Sequence, residues 1–235
     1  MPFLSLLRAL PVALAVVVCA LGARAAEPDL RVLEDSGDRI VLELMVDGPT
    51  FSPVLVGGQS LVEVQLGGEA VLKREGEPEL PRVSRSLIVP DDANLTVRVL
   101  EAESYLLEDV DVVPSRGILS RQIDPTTVPR IFGPVYDQDA AYPGTLAELR
   151  EPYIMRDHRG VVVDLYPLQL NPAQRTLEVV ERLVVEISRV GGSEVPANVL
   201  GPRDRAPSLA FEQLYEHHFL NWPSHAPQYP PITED

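Results

Sequence analysis

The chain has 235 residues, and 20 lysine and arginine residues against 35 aspartate and glutamate residues give it a formal net charge of −15. This balance excludes a general nucleic-acid-binding protein, because such proteins use clustered cations to displace phosphate counterions. Hydrophobic residues make up 45% of the chain, enough for a packed core, which argues against a disordered chain. The 23 prolines disfavour long helices and favour strands joined by rigid turns.

The first 25 residues have the pattern of a secretory signal peptide. Arg8 supplies a positive start, residues 9–21 form an uncharged apolar run, and small residues precede a cleavage site after Ala25. The run is shorter than the roughly 20 apolar residues that a membrane span requires. A lipoprotein signal at Cys19 is the disfavoured alternative, since valines rather than small residues precede it. The sequence therefore predicts an exported protein whose mature chain contains no cysteine.

Alternating apolar and mixed side chains predict half-buried strands through much of the mature chain. The predicted strands cover residues 39–46, 61–66, 95–100, 161–166 and 176–190. The last two are predicted to form a hairpin around a turn that Asn171 and Pro172 open. Residues 176–190 also fit one face of a helix, but their β-branched residues and the preceding turn favour a strand.

Prolines interrupt residues 114–157 so often that no long element fits there. This stretch is predicted to be a long excursion from the sheet, and long excursions are usually functional or disordered. Ser208 is predicted to cap a short helix, and a stiff Pro-rich tail follows Trp222. The predicted fold is all-β, with an antiparallel β-sandwich over residues 26–200. A connector, the short helix and the tail then fill residues 201–235, and Trp222 is placed outside the sandwich.

No residue pattern predicts catalysis by this chain. The mature chain lacks a cysteine thiol, and neither a Gly-x-Ser-x-Gly elbow nor a phosphate-binding glycine loop is present. His158, His217, His218 and His225 lack the spacing of metal ligands and are predicted to face solvent. The sequence thus predicts a protein that is not an enzyme, with no catalytic residue, metal or cofactor.

One segment carries a more specific pattern, Gly76-Glu77-Pro78-Glu79-Leu80-Pro81. Its two prolines impose an extended crossing, and Leu80 anchors it. The segment closely resembles the Gly-x-Pro-x-Leu-Pro signature of the N-terminal propeptide of gingipain-type cysteine peptidases. The resemblance continues through residues 97–99, 136–144 and 166–172, and it covers about residues 30–220.

The resemblance implies a β-rich pro-domain that precedes a caspase-like cysteine peptidase domain, aids its folding and keeps it latent during export. In that family, a loop of the pro-domain blocks the active-site cleft and a basic side chain enters the specificity pocket. Arg156 is the first candidate for this contact, with Arg150, Arg159 and Arg130 as the others. A solvated surface position is the alternative for each arginine.

A second function class remains open from the residues alone. A non-catalytic exported β-sandwich could bind carbohydrate or a cell surface, because such sandwiches often serve as binding modules. The scarcity of aromatic side chains argues against it, since Trp222 is the only tryptophan. No nucleic-acid partner and no membrane span are predicted under either function.

Overall fold

The computed structural model describes residues 26–191, 195–202 and 208–227. The predicted signal peptide, part of the connector and residues 228–235 of the Pro-rich tail lie outside the described residues. Across the described ranges, no helix combines the length and the apolar character needed to cross a membrane.

Strands dominate the described part of the chain, as the alternating pattern predicts. In chain order they are β1 (Asp29–Asp35), β2 (Arg39–Met45), β3 (Thr50–Val56), β4 (Gln59–Gln65), β5 (Ala70–Val71), β6 (Pro81–Ile88), β7 (Asn94–Leu107), β8 (Ala147–Leu149), β9 (Tyr153–Met155), β10 (His158–Leu165), β11 (Leu168–Asn171) and β12 (Thr176–Val190). The helices are α1 (Leu209–His218) and α2 (Trp222–His225), and single 3-10 turns cover Pro125–Thr127 and Pro134–Asp137.

The strands form two antiparallel sheets that pack face to face. The first sheet has the order β1-β2-β12-β11, with β7 on the other side of β12, and the second has the order β5-β6-β10-β8, with β9 beside β10. Leu44 and Leu183 of the first sheet share one fully buried core with Leu87 and Val163 of the second. The predicted antiparallel β-sandwich is therefore confirmed, and β3 and β4 add a separate hairpin.

Strand β12 occupies the residues predicted for it and holds the first sheet together. It pairs with β11 and β2 along one edge and with β7 along the other. Its apolar side chains enter the core, while Glu186 lies on the opposite face and accepts hydrogen bonds from Arg39 at 2.5 Å and Arg98 at 2.8 Å. The strand interpretation is thus confirmed over the helical one.

One of the two strands predicted for the hairpin is wrong. Strand β10 pairs with β6 in the second sheet, and β11 is the strand that turns back onto β12, with Asn171 opposite Thr176. Pro167 separates β10 from β11 because a proline has no N–H to continue a ladder. Its carbonyl accepts a hydrogen bond from Val180 N at 2.8 Å, so the chain crosses between the sheets at this residue.

The C-terminal helices belong to the packed fold. The predicted short helix is present as α1 after Ser208, although the Ser208 side chain makes no capping hydrogen bond. Trp222 is buried and packs with Ile88, Tyr215 and Phe219. Trp222 thus lies outside the core between the two sheets, and the aromatic face of α1 and α2 that carries it covers the second sheet.

Candidate functional site

The Pro-rich excursion consists of an exposed loop followed by a return to the second sheet. The loop leaves the fold after Ser115 and rejoins it at Gly133, and every residue from 120 to 127 is exposed. We name residues 116–132 the projecting loop. Strands β8 and β9 then pair with β10, so the last part of the predicted excursion belongs to the sandwich.

The projecting loop has its own hydrogen bonds despite its exposure. Arg116 Nε donates to the carbonyl of Val128 at 2.7 Å and ties the two limbs together. Asp124 caps the first 3-10 turn by accepting from Thr126 N at 2.9 Å and from the Thr126 hydroxyl at 2.7 Å. These bonds favour the carboxylate and lower the pKa of Asp124. The loop is therefore shaped before any partner meets it.

Apolar side chains are unusually exposed on this loop. Ile118 is 87% exposed, and Ile123, Ile131 and Phe132 are also exposed. Single exposed apolar residues are normal on a protein surface, but several close together on one projection mark a contact surface. The loop therefore has the composition of a protein-binding element.

Arg121 lies in the turn at the exposed end of the projecting loop. Ser120 O accepts a hydrogen bond from Ile123 N at 3.0 Å and closes this turn. Across the described ranges, Arg121 is the one arginine whose side chain has neither an ion pair nor a hydrogen bond, and it is exposed. Arg121 is not among the arginines predicted from the sequence, although its place in the Pro-rich excursion is a signal that points to it.

A cleft of about 610 Å³ lies at the base of the projecting loop. Its walls come from β4, from the chain before the loop and from the β11–β12 turn, and they include Leu61, Val112, Phe132, Tyr136, Leu170 and Arg175. The Tyr136 hydroxyl donates to the Val112 carbonyl at 3.0 Å, and burial raises the pKa of Tyr136. The lining is mainly apolar, and Asp111, Asp137 and Arg175 supply its charged part.

Arg150 and Arg156 lie in the second sheet and have partners there. Arg150, 45% exposed, follows β8 and makes two hydrogen bonds to the buried carboxylate of Asp164, at 2.7 and 3.0 Å. Arg156 occupies the two-residue turn between β9 and β10, with a φ of 52°. Its guanidinium lies 3.3 Å from Asp157 and 4.2 Å from the centre of the Phe211 ring, and its side chain is 19% exposed. Both arginines reach the surface, and a specific contact by either stays a prediction.

Arg159 points into the fold. Its residue is 1% exposed, and its guanidinium donates hydrogen bonds of 2.8–3.0 Å to four backbone carbonyls, those of Pro90, Ala93, Ala197 and Asn198. Burial lowers the pKa of Arg159. These contacts tie residues 197–198, which follow β12, to the second sheet, so Arg159 is not available at the surface of this structure.

Arg130 is also internal, because its side chain is only 5% exposed. It donates to the carboxylate of Glu63 at 2.5 Å, to the carboxylate of Glu79 and to the Pro114 carbonyl at 2.7 Å. Arg130 therefore holds the base of the projecting loop, and the structure does not present it to a partner.

The prediction that the histidines face solvent is confirmed for His217 and His218, which are exposed, and is wrong for the other two. His158 is half-buried and packs edge-on against Tyr215 and Trp222, with ring centres 4.7 and 5.5 Å apart. His225 is also half-buried and lies 3.0 Å from a carboxylate oxygen of Asp35. Both face the interface between α1–α2 and the sandwich instead of solvent. Within the described ranges, no group of three or more His, Cys, Asp or Glu side chains could hold a metal ion.

Comparison with known proteins identifies the family. The profile of the Propeptide_C25 family matches residues 22–219. Gingipain R2 of Porphyromonas gingivalis is 31% identical over 212 residues, which are 90% of this chain and 28% of that protein. Gingipain R1 of the same organism is 32% identical over 209 residues, which are 88% of this chain and 20% of that protein. The chain thus spans less than a third of the length of these relatives.

Two solved structures share the fold. One is the complex of the pro- and mature domains of P. gingivalis RgpB, where the match has a TM-score of 0.76 and 29% identity and covers 83% of this chain and 97% of that chain. The other concerns zymogenic latency of gingipain K from P. gingivalis, with a TM-score of 0.61 and 20% identity over 72% of this chain and 97% of that chain. These matches do not favour a carbohydrate- or surface-binding module. The chain therefore belongs to the Propeptide_C25 family, and it corresponds to the pro-region of gingipain-type cysteine peptidases, not to their catalytic domain.

Proposed function

We propose that this chain is the exported pro-domain of a gingipain-type cysteine endopeptidase, and that it keeps a caspase-like catalytic domain latent by placing the projecting loop in the active-site cleft. The observation that carries this proposal is the free guanidinium of Arg121 at the exposed end of an ordered loop. An arginine without an internal partner keeps its full hydrogen-bonding capacity for an acidic pocket.

The shape of the loop supports the same function. A loop that is already ordered loses little conformational freedom when it binds, so more of the contact energy appears as affinity. Exposed Ile118 and Ile123 stand close to Arg121 in the chain and add apolar area to the charged contact. The projecting loop therefore combines an anchoring cation with an apolar surround.

Arg156 and Arg150 are the alternative inhibitory contacts. Arg156 would have to leave Asp157 and the Phe211 ring to enter a pocket. Arg150 would give up its two hydrogen bonds to the buried carboxylate of Asp164, which would keep only Ser84 and the more distant Arg82. Removing one partner of a buried charge pair is costly. Arg121 carries no such cost, so it is our first choice.

Export and a role in folding complete the proposal. The first 25 residues have the pattern of a signal peptide cleaved near Ala25, which supports delivery to the periplasm, the cell surface or the medium. The sandwich has a packed core of its own, which suits it to fold ahead of a peptidase domain and to aid the folding of that domain.

The test is inhibition of the mature domain of P. gingivalis RgpB by the whole chain. The wild-type chain is expected to inhibit peptide hydrolysis competitively, with an inhibition constant below about 1 µM. Arg121→Ala should raise that constant by about two orders of magnitude, because a desolvated charge pair is lost. The matched control is Arg189→Ala, an exposed arginine paired with Asp38 and Asp92 outside the loop and its cleft, which should inhibit like the wild type. Absence of inhibition by the wild-type chain would contradict the proposed function.

A further inference from the structure

The Gly76–Pro81 segment lies directly beneath the projecting loop and touches both of its limbs. The limb that enters the loop runs antiparallel to the segment, with Pro78 opposite Pro114. Three backbone hydrogen bonds join them: Gly76 N to Ser115 O at 3.0 Å, Ser115 N to Glu77 O at 2.8 Å, and Glu79 N to Val113 O at 3.0 Å. We name residues 76–81 the platform.

The two facing prolines fit this short ladder. In an antiparallel pair, directly opposed residues alternate between bonded and non-bonded positions. Pro78 and Pro114 occupy a non-bonded position, where neither residue needs the N–H that proline lacks. Both prolines are buried, so the entering limb is held along an extended and rigid track.

The limb that leaves the loop is held by the same platform. Gly133 N donates to Gly76 O at 2.8 Å, and this close approach needs glycine on both sides. A Cβ on Gly133 would lie 2.8 Å from Gly76 O, and a φ of 79° at Gly76 is a conformation that other residues rarely adopt. The two ends of the loop are therefore fixed within one residue of each other on the platform.

Arg130 joins the three parts. It lies on the leaving limb, and its guanidinium bonds Glu79 of the platform, the Pro114 carbonyl of the entering limb and Glu63 of β4. A planar guanidinium can reach several acceptors at once, which a lysine cannot do in the same geometry. Its side chain is almost completely buried, so it acts on a partner only through the loop it holds.

From these contacts, we infer that the Gly-x-Pro-x-Leu-Pro platform and Arg130 are the positioning device of the projecting loop, which keep Arg121 presented for binding. The expected effect on inhibition rests on the proposed function. Its structural part, that Arg130 and Glu79 fix the loop, can be tested without any peptidase. Arg130 is thus a positioning residue and not an inhibitory contact.

The first experiment measures amide hydrogen exchange in the isolated whole chain. Arg130→Ala should speed exchange of residues 117–129 by about tenfold or more, while β10 and β12 keep wild-type protection. The matched control is Arg182→Ala, which also removes an arginine paired with several carboxylates, those of Glu43, Glu101 and Glu103, but on the first sheet. Unchanged exchange of residues 117–129 in Arg130→Ala would overturn the inference.

A second pair of variants covers the case in which Arg130→Ala does not fold. Glu79→Gln keeps the size of the side chain and removes the charge that faces Arg130, and Glu43→Gln does the same for Arg182. Faster exchange in the loop of Glu79→Gln, with no such change in Glu43→Gln, supports the inference. Equal loop exchange in both variants contradicts it.

The consequence for inhibition is tested by a double-mutant cycle with Arg121→Ala against the mature domain of RgpB. If Arg130→Ala leaves about one loop in thirty in the competent shape, the inhibition constant rises about 30-fold. Chains with a misplaced loop still bind through their remaining surface, only without the Arg121 contact, so Arg121→Ala should weaken inhibition less in the Arg130→Ala background than in the wild type. Additive effects would overturn the positioning role. Failure of the wild-type chain to inhibit would count against the proposed function. The exchange data test the positioning role of the platform and Arg130 independently of inhibition.

Discussion

The side-chain amide of Asn221 bonds both backbone groups of Ile88 and replaces a neighbouring strand at the outer edge of β6. Asn221 Oδ1 accepts from Ile88 N at 2.8 Å, and Asn221 Nδ2 donates to Ile88 O at 2.9 Å. The same Nδ2 donates to Asp35 in β1 at 2.8 Å. One buried amide therefore joins the C-terminal segment to both sheets.

Replacing Asn221 with leucine should destabilise the chain by about 2–4 kcal/mol, because the buried N–H and C=O of Ile88 lose their partners. Urea unfolding followed by circular dichroism measures this. Gln174→Leu is the control, since the side-chain amide of Gln174 bonds Asp139 at an exposed site and its loss should change the free energy of unfolding by less than about 1 kcal/mol. Equal losses in the two variants would refute the role given to Asn221.

Arg159→Ala should be more destabilising than the loss of any surface arginine. Four backbone carbonyls lose their donor at once, and an unsatisfied buried acceptor costs about 1–3 kcal/mol. The control Arg31→Ala removes an exposed arginine whose partner is Asp29, and it should cost less than about 1 kcal/mol. A wild-type urea midpoint for Arg159→Ala would mean that these carbonyls do not depend on Arg159.

The stability of the first sheet should fall in acid through Glu186. Hydrogen bonds from Arg39 and Arg98 lower the pKa of Glu186 below its ordinary value of 4.5. A lowered pKa in the folded state means that this stabilisation is present above pH 4.5 and is lost as the pH falls through the folded-state pKa. Glu186→Gln should therefore have a lower free energy of unfolding than the wild type at about pH 6. The difference between the two free energies should become smaller by about pH 3. A gap that does not depend on pH would contradict this linkage.

Truncation should separate the packed C-terminal segment from the tail. A chain that ends at Pro227 keeps Asn221, Trp222 and His225, so its melting temperature and its inhibition of RgpB should match those of the full chain. A chain that ends at Phe219 loses these contacts, and its melting temperature should fall by more than about 5 °C. If the chain that ends at Pro227 kept its melting temperature but lost inhibition, the blocking element would lie in the tail.

Local pattern predicts much of this fold. The alternation of residues 176–190 gives β12 with its observed bounds, and the prolines of residues 114–157 mark the excursion. Strands β8 and β9 have only three residues each, too few for a period to appear. Strand β3 is not predicted from the sequence because Pro53 lies inside it. A proline within an apolar run argues against a strand unless that strand has an unpaired edge.

The arginines are harder to place, because their partners are distant in the chain. Arg130 meets Glu63 across 67 residues, and Arg159 meets carbonyls 38–69 residues away. Contacts between residues this far apart leave no local pattern in the sequence, so the sequence does not distinguish an internal arginine from one without a partner. Only the folded chain distinguishes Arg121 from the others.

The central claim, that the projecting loop meets the peptidase, is tested most directly by hydrogen exchange of the whole chain with and without the mature domain of RgpB. Slower exchange of residues 116–132 in the complex, stronger than on any other surface, is the predicted result. Protection confined to other surfaces, such as the outer edge of β7 or the β9–β10 turn that carries Arg156, with no change in the projecting loop, would contradict the claim.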